Sequence, residues 1–178
     1  MRTAAGAFVL TLLAGPAFAA DETAAMHDAA ARFYAVYATF HPSDGIPNGQ
    51  DRARYEPVIS PALDALLKQA DEAEQRFSRE NRGSPPLIEG DLFTSLFEGA
   101  TKAEVGTCSG DAARGKCSVN LTYSDPSPKG KPQSWSDTVL LVNTPQGWRV
   151  DDIVYGGGWA FGNKGKLTDT LRQTISFQ

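Results

Sequence analysis

The stretch "SWSDTVLLVNTPQGWRVDDIVYGGG", Ser134 to Gly158, decides the fold. Apolar and polar residues alternate on both sides of "TPQG", as in two half-buried strands joined by a tight turn. Taking "TPQG" as the turn pairs Asn143 with Trp148, Leu141 with Val150, Val139 with Asp152 and Asp137 with Val154. Strict alternation then sends Trp148, Val150, Asp152 and Val154 to one face. Arg149, Asp151, Ile153 and Tyr155 go to the other. Adjacent Asp151 and Asp152 are therefore not a catalytic pair with each other. Asp151 shares a face with Arg149. Asp152 lies among Trp and Val, with Asp137 diagonal to it roughly 7–8 Å away. Two carboxylates on an apolar face have raised proton affinity, which suits acid–base chemistry. The same placement also suits carboxylates that accept structural hydrogen bonds.

Working outward, "KAEVGTCS" (102–109) and "KCSVNLTYSD" (116–125) have the same two-residue period. With 134–144 and 147–156 they predict a four-stranded antiparallel meander. N-terminal to it, residues 21–41 carry Met26, Ala29, Ala30, Phe33, Val36, Tyr37 and Phe40 at helical spacing, and His41-Pro42 ends the pattern. "SDGIPNGQD" has the composition of a loop. A second helix is predicted from Ser60, a good N-cap before Pro61, to a stop near Gly83. Its buried stripe is Leu63, Leu66, Leu67, Ala70, Ala73 and Phe77. "DLFTSLFEG" reads as a short helix or turn, and "TDTLRQTISF" as a closing helix. Gly156, Gly157 and Gly158 are expected to turn the chain. Trp159 and Phe161 then fold back over the sheet. Helices followed by an antiparallel sheet define an α+β fold, a curved sheet with its helices packed on one face.

The N-terminus has the pattern of an export signal. Arg2 precedes an apolar run, Ala7 to Ala14, broken by Gly15-Pro16. Ala17-Phe18-Ala19 is a small-x-small cleavage site. Residues 1–19 are expected to be a signal peptide and 20–178 a single α+β domain in the bacterial periplasm or medium. The apolar run is too short to span a membrane, which takes roughly 20 residues. Export meets an oxidising compartment, so the two cysteines, Cys108 and Cys117, are expected to form a disulfide across a hairpin end. Residues 20–100 carry 7 basic and 14 acidic side chains. That excess does not invite nucleic acid.

"GDAARGKC" imitates a phosphate loop but ends in Cys, and strands flank it where a helix is needed. "NLT" at Asn120 lies inside a strand. His27 and His41, the only histidines, have no carboxylate cluster beside them, so neither metal nor cofactor is expected. No G-x-S-x-G elbow supports a nucleophile.

"PPLIEGDLFTSLFEGAT", "SWSDTVLLVNTPQGWRVDDIVYGG" and "GNKGKLTDTL" together resemble the secreted bacterial proteins of the domain of unknown function 3828 family. The likeness runs from about Ala25 to Leu171. That family resembles the nuclear-transport-factor-two-like superfamily, the cone-shaped, cystatin-like fold of SnoaL-like and ketosteroid-isomerase-like domains. The resemblance implies a sheet wrapped around a pocket. It implies no activity. By analogy with the superfamily's isomerases, Asp137 and Asp152 are carboxyl candidates, and Tyr34, Tyr37 and Tyr123 are hydroxyl candidates, with Trp135 and Trp148 flanking the pocket. The favoured reading is a binding domain for a small apolar molecule or an envelope protein partner, an inhibitor or immunity-type protein among the options. The alternative is a pocket enzyme transferring protons with Asp152 and Asp137. A homodimer stays open.

Overall fold

The computed structural model describes residues 17–39, 45–127 and 130–177. Most of the expected leader, together with Phe40, His41 and Pro42, lies outside the described residues. The elements are α1 (Ala17–Thr39), α2 (Gly49–Tyr55), α3 (Pro61–Glu80), β1 (Lys102–Gly110), β2 (Arg114–Tyr123), β3 (Gln133–Thr144), β4 (Gly147–Val154) and α4 (Leu167–Ser176). This is an α+β fold. The strands form one antiparallel sheet in the order β1-β2-β3-β4.

Local chemistry explains most boundaries. α3 starts where the Ser60 hydroxyl accepts the Leu63 N–H at 3.0 Å, with Pro61 at the first helical position. α2 corrects the expectation of a loop at "NGQD": the Asn48 side chain accepts the N–H groups of Gln50 and Asp51, and the helix buries Tyr55. "DLFTSLFEG" forms a turn-rich loop with no helix. Cys108 and Cys117 face each other across β1 and β2 and are disulfide-bonded, with Cα atoms 4.1 Å apart.

α1 lies across the inner face of the sheet and touches all four strands. It buries Met26, Ala29, Ala30, Phe33, Tyr34 and Tyr37 against Cys117, Val119, Leu121, Val139, Leu141, Val150 and Ile153. The Met, Phe, Val, Leu and Ile side chains among them each contribute about 1.5–3 kcal/mol by leaving water. Phe33 stands edge-on to Tyr34 and Phe93, with centroids 5.1 and 5.4 Å away. α3 and α4 pack on each other and reach the sheet through β4.

The predicted register fails partway along the β3–β4 ladder. Asn143↔Trp148 and Leu141↔Val150 pair as expected. A bulge then intervenes, and the next pairs are Leu140↔Asp152, Val139↔Ile153 and Thr138↔Val154. One extra residue flips every later side chain to the other face. Ile153 therefore joins Val139 in the core, while Asp152 leaves the Trp148 face. Asp137 and Asp152 do not share a face.

Candidate functional site

The adjacent aspartates sit at the bulge, and each holds one helix start. Residues 58–60 run alongside the bulged strand: Ser60 N–H donates to the Val150 carbonyl at 2.7 Å, and Val150 N–H to the Val58 carbonyl at 3.1 Å. The Ser60 hydroxyl, while capping α3, donates to Asp151 Oδ1 at 2.6 Å. Asp151 is thus tied to Ser60. Asp152 Oδ1 accepts the Ile153 and Thr168 N–H groups at 2.9 and 3.0 Å, and Oδ2 accepts the Thr168 hydroxyl at 2.8 Å. Lys166, the residue before α4, makes no side-chain cap. Asp152 supplies that cap from the neighbouring strand, where a carboxylate also suits the helix dipole.

Asp137 is buried on the inner face and takes four donors. Oδ1 accepts the Ser95 hydroxyl and, at 2.8 Å, the Gly156 N–H. Oδ2 accepts the Ser95 N–H at 2.9 Å and the Trp135 indole N–H at 3.2 Å. Through Ser95 and Gly156 the carboxylate clamps the loop 91–97 onto the segment leaving β4. Tyr155 and Asn163 add to the clamp: the Tyr155 hydroxyl donates to the Leu92 carbonyl at 2.7 Å, and the Asn163 amide donates to the Asp91 and Thr94 carbonyls, both at 2.7 Å.

A second carboxylate organises the loop from inside. Asp91 Oδ1 accepts the Phe93 and Thr94 N–H groups at 2.8 and 2.7 Å, and Oδ2 accepts the Tyr37 hydroxyl at 2.8 Å. Tyr37 in turn accepts the Ala100 N–H at 2.7 Å, so one phenol spans both ends of the loop. Gly99 makes this approach possible. It has a φ of 80°, and a Cβ there would lie 2.7 Å from the Tyr37 hydroxyl. Burial pushes the Asp91 carboxyl up to about 6, against the lowering effect of its Tyr37, Thr94 and Phe93 donors. Burial also raises the Tyr37 and Tyr34 phenols, and nearby Asp91 raises both further.

The other expected pocket residues are dispersed. Tyr34 and Tyr37 are core residues, and the buried Tyr34 hydroxyl has no hydrogen-bond partner among the described residues. Trp148 is buried, and its indole donates to Glu22 at 2.8 Å. Tyr123 is half-buried at the end of β2. Trp135 meets Trp159 edge-on, with centroids 5.0 Å apart. His27 is half-exposed, 3.8 Å from Asp28. No group of three or more metal-ligating side chains comes together among the described residues.

Beside Trp159 lies a feature not read from the sequence. Leu96, Phe97, Glu98, Gln133, Trp159 and Phe161 line an open cleft of about 480 Å³. Phe161 is 91% exposed and Phe97 44%. The Asp137–Ser95–Gly156 clamp fixes its walls, because the loop 91–97 and the segment 156–163 are its two sides. Alternation gave no access to these residues, since both segments are irregular.

No family model matches the chain, and no curated protein matches it in sequence. A solved structure described as a protein of unknown function from Bacteroides thetaiotaomicron VPI-5482 is similar, with a TM-score of 0.36 and 17% identity. That match covers 78% of this chain and 92% of the other. A likeness of this size assigns neither fold family nor role.

Proposed function

We propose that the protein is an exported, non-enzymatic binding protein that takes a small apolar molecule into the cleft beside Trp159. The observation that carries the reading is the pair of exposed rings, Phe161 and Phe97, on walls held by buried hydrogen bonds. Leaving the Phe161 ring in water forgoes about 1.5–3 kcal/mol, and the half-exposed Phe97 ring forgoes part of that. Fixed walls spare a ligand the cost of ordering them. Glu98 and Gln133 on the same walls offer polar contacts to orient it. Export rests on the leader-like N-terminus, and the disulfide suits an oxidising compartment. No helix among the described residues is long and apolar enough to cross a membrane.

A proton-transfer enzyme built on Asp137 and Asp152 has less support. All four oxygens of the two carboxylates already accept hydrogen bonds. The test is titration with the fluorescent probe 1-anilinonaphthalene-8-sulfonate, following probe emission and tryptophan quenching together. Phe161→Ser and Phe97→Ser should each weaken binding at least about fivefold with an unchanged melting temperature. Equal binding by wild type and both variants would exclude the cleft. Native mass spectrometry of protein purified from its own envelope fraction then identifies any bound molecule.

A further inference from the structure

β1 is an edge strand, hydrogen-bonded to β2 on one side. Among the described residues no strand pairs with its other side. Six consecutive residues, Ala100 to Val105, line a groove of about 450 Å³ whose opposite wall is α1. Side chains of a strand alternate between faces, so an unbroken run of lining residues means that the backbone edge itself borders the groove. Such a row of unpaired N–H and C=O groups is a template for another strand. No proline interrupts it. The usable length ends at the bulge between Val105 and Cys108.

The charges on this edge say which strand fits. Lys102 and Glu104 stand two apart on the outer face, both well exposed at 65% and 61%, with Ala103 between them on the inner face. Pairing two β1 edges antiparallel about Ala103 sets Lys102 opposite Glu104 of the other copy, and Glu104 opposite its Lys102. The edge is self-complementary, as a two-fold interface requires. An axis perpendicular to the sheet keeps both copies of α1 on one side. There the groove walls formed by Ala31, Ala35 and Ala38 would face each other. These small side chains permit the close approach that adjoining sheets impose.

We propose that the protein forms a two-fold dimer through β1, joining two four-stranded sheets into one sheet of eight, with Lys102 and Glu104 as reciprocal cross-strand ion pairs. This interface is separate from the aromatic cleft, so either assignment can fail without the other.

The test is sedimentation velocity over a concentration series, using the purified exported protein and its variants Lys102→Glu and Glu104→Lys. Wild type should sediment with twice the monomer mass. Each variant alone sets like charges opposite each other twice per dimer and should raise the dissociation constant about tenfold or more. Both variants also lose the exposed Lys102–Glu104 contact within the strand, 2.6 Å in the monomer. That contact is exposed to solvent and screened, so folding should be unchanged by circular dichroism. Mixing the two variants should restore a dimer, because the carboxylate introduced by Lys102→Glu in one chain then faces the ammonium introduced by Glu104→Lys in the other. The double variant should dimerise alone. A monomeric wild type at every concentration overturns the proposal. So does a wild-type dimer that persists in both single variants, or a mixture that stays monomeric.

Discussion

Asp152 caps a helix that begins fifteen residues further along the chain: its Oδ1 accepts the Thr168 N–H at 3.0 Å and its Oδ2 the Thr168 hydroxyl at 2.8 Å. Asp151 does the corresponding work for α3 at one remove, through Ser60. The two successive carboxylates at the bulge therefore tie two helix starts to the sheet.

The two aspartates should differ in what they tolerate. Asp152→Ala leaves a buried N–H and hydroxyl of Thr168 without an acceptor, and should destabilise by about 2 kcal/mol. Asp151→Asn keeps an acceptor for the Ser60 hydroxyl and should cost under about 1 kcal/mol. Urea unfolding of both variants measures the difference. A greater loss in Asp151→Asn would reject this division of roles.

Asp137 should be the less forgiving site. An amide in its place turns an N–H₂ group toward donors at Ser95, Trp135 and Gly156, so at least one N–H···H–N conflict arises in a dry site. Asp137→Asn should cost about 2–3 kcal/mol. It should also speed amide exchange at Ser95 and Gly156 ahead of the rest of the sheet. Uniform protection at those two amides would show that the clamp does not depend on the carboxylate.

Asp91 should make stability depend on pH in an unusual direction. Its carboxyl lies at about 6 in the folded chain, above the ordinary 3.8, so the folded state binds the proton more tightly. The stabilisation is complete below 3.8 and is lost as pH rises toward about 6 and beyond. Asp91→Asn removes the titrating group and should flatten this component. Relative to wild type, the variant should gain on the order of 3 kcal/mol between pH 3 and pH 7. Chemical denaturation of both proteins across that range gives the difference. A difference that shrinks with rising pH would contradict the raised carboxyl.

Tyr34→Phe should stabilise the fold. The buried Tyr34 hydroxyl has no hydrogen-bond partner among the described residues, and a buried polar group without one costs about 1–3 kcal/mol. Removing it leaves the ring contacts with Phe33 and Tyr37 in place. A rise of about 1 kcal/mol in unfolding free energy is expected, and a clear loss would mean that the hydroxyl is satisfied.

The sheet was largely legible because its strands obey alternation and "TPQG" sets the register of the β3–β4 hairpin. Strict alternation puts Asp152 on the wrong face because it takes no account of the bulge. The signal was present: the buried residues Trp148, Val150, Ile153 and Tyr155 step by two, three and two, and the step of three marks an inserted residue. α2 escaped because its seven residues bury only Tyr55, too few for a period to show. Asp91, Ser95 and Asn163 lie in irregular segments whose partners are distant in sequence, and no local pattern announces such contacts. Asp137 stood out as a carboxylate on an apolar face, but not its four donors, since two come from a loop some forty residues away.

The triple glycine allows a final prediction within three consecutive residues. None of Gly156, Gly157 and Gly158 has a positive φ, so the expected tight turn is not why glycine stands there. Space is the reason at two of the three positions. A Cβ on Gly156 would lie 2.1 Å from the Ser136 carbonyl oxygen, and one on Gly157 would lie 2.7 Å from the Ser95 Cβ and 2.3 Å from the Trp159 ring. Nothing lies within 4 Å of a Cβ on Gly158. Gly156→Ala should therefore push β3 and the Asp137 clamp apart, at a cost of about 1–3 kcal/mol. Gly157→Val should cost a similar amount and displace Trp159 from Trp135, visible as a change in tryptophan emission. Gly158→Ala should be silent or stabilising by about 0.4–1 kcal/mol, because the backbone fits alanine and the unfolded chain loses freedom. Thermal melts of the three variants give the ranking. A Gly158→Ala protein as damaged as Gly156→Ala would show that backbone conformation, not space, selects the glycines.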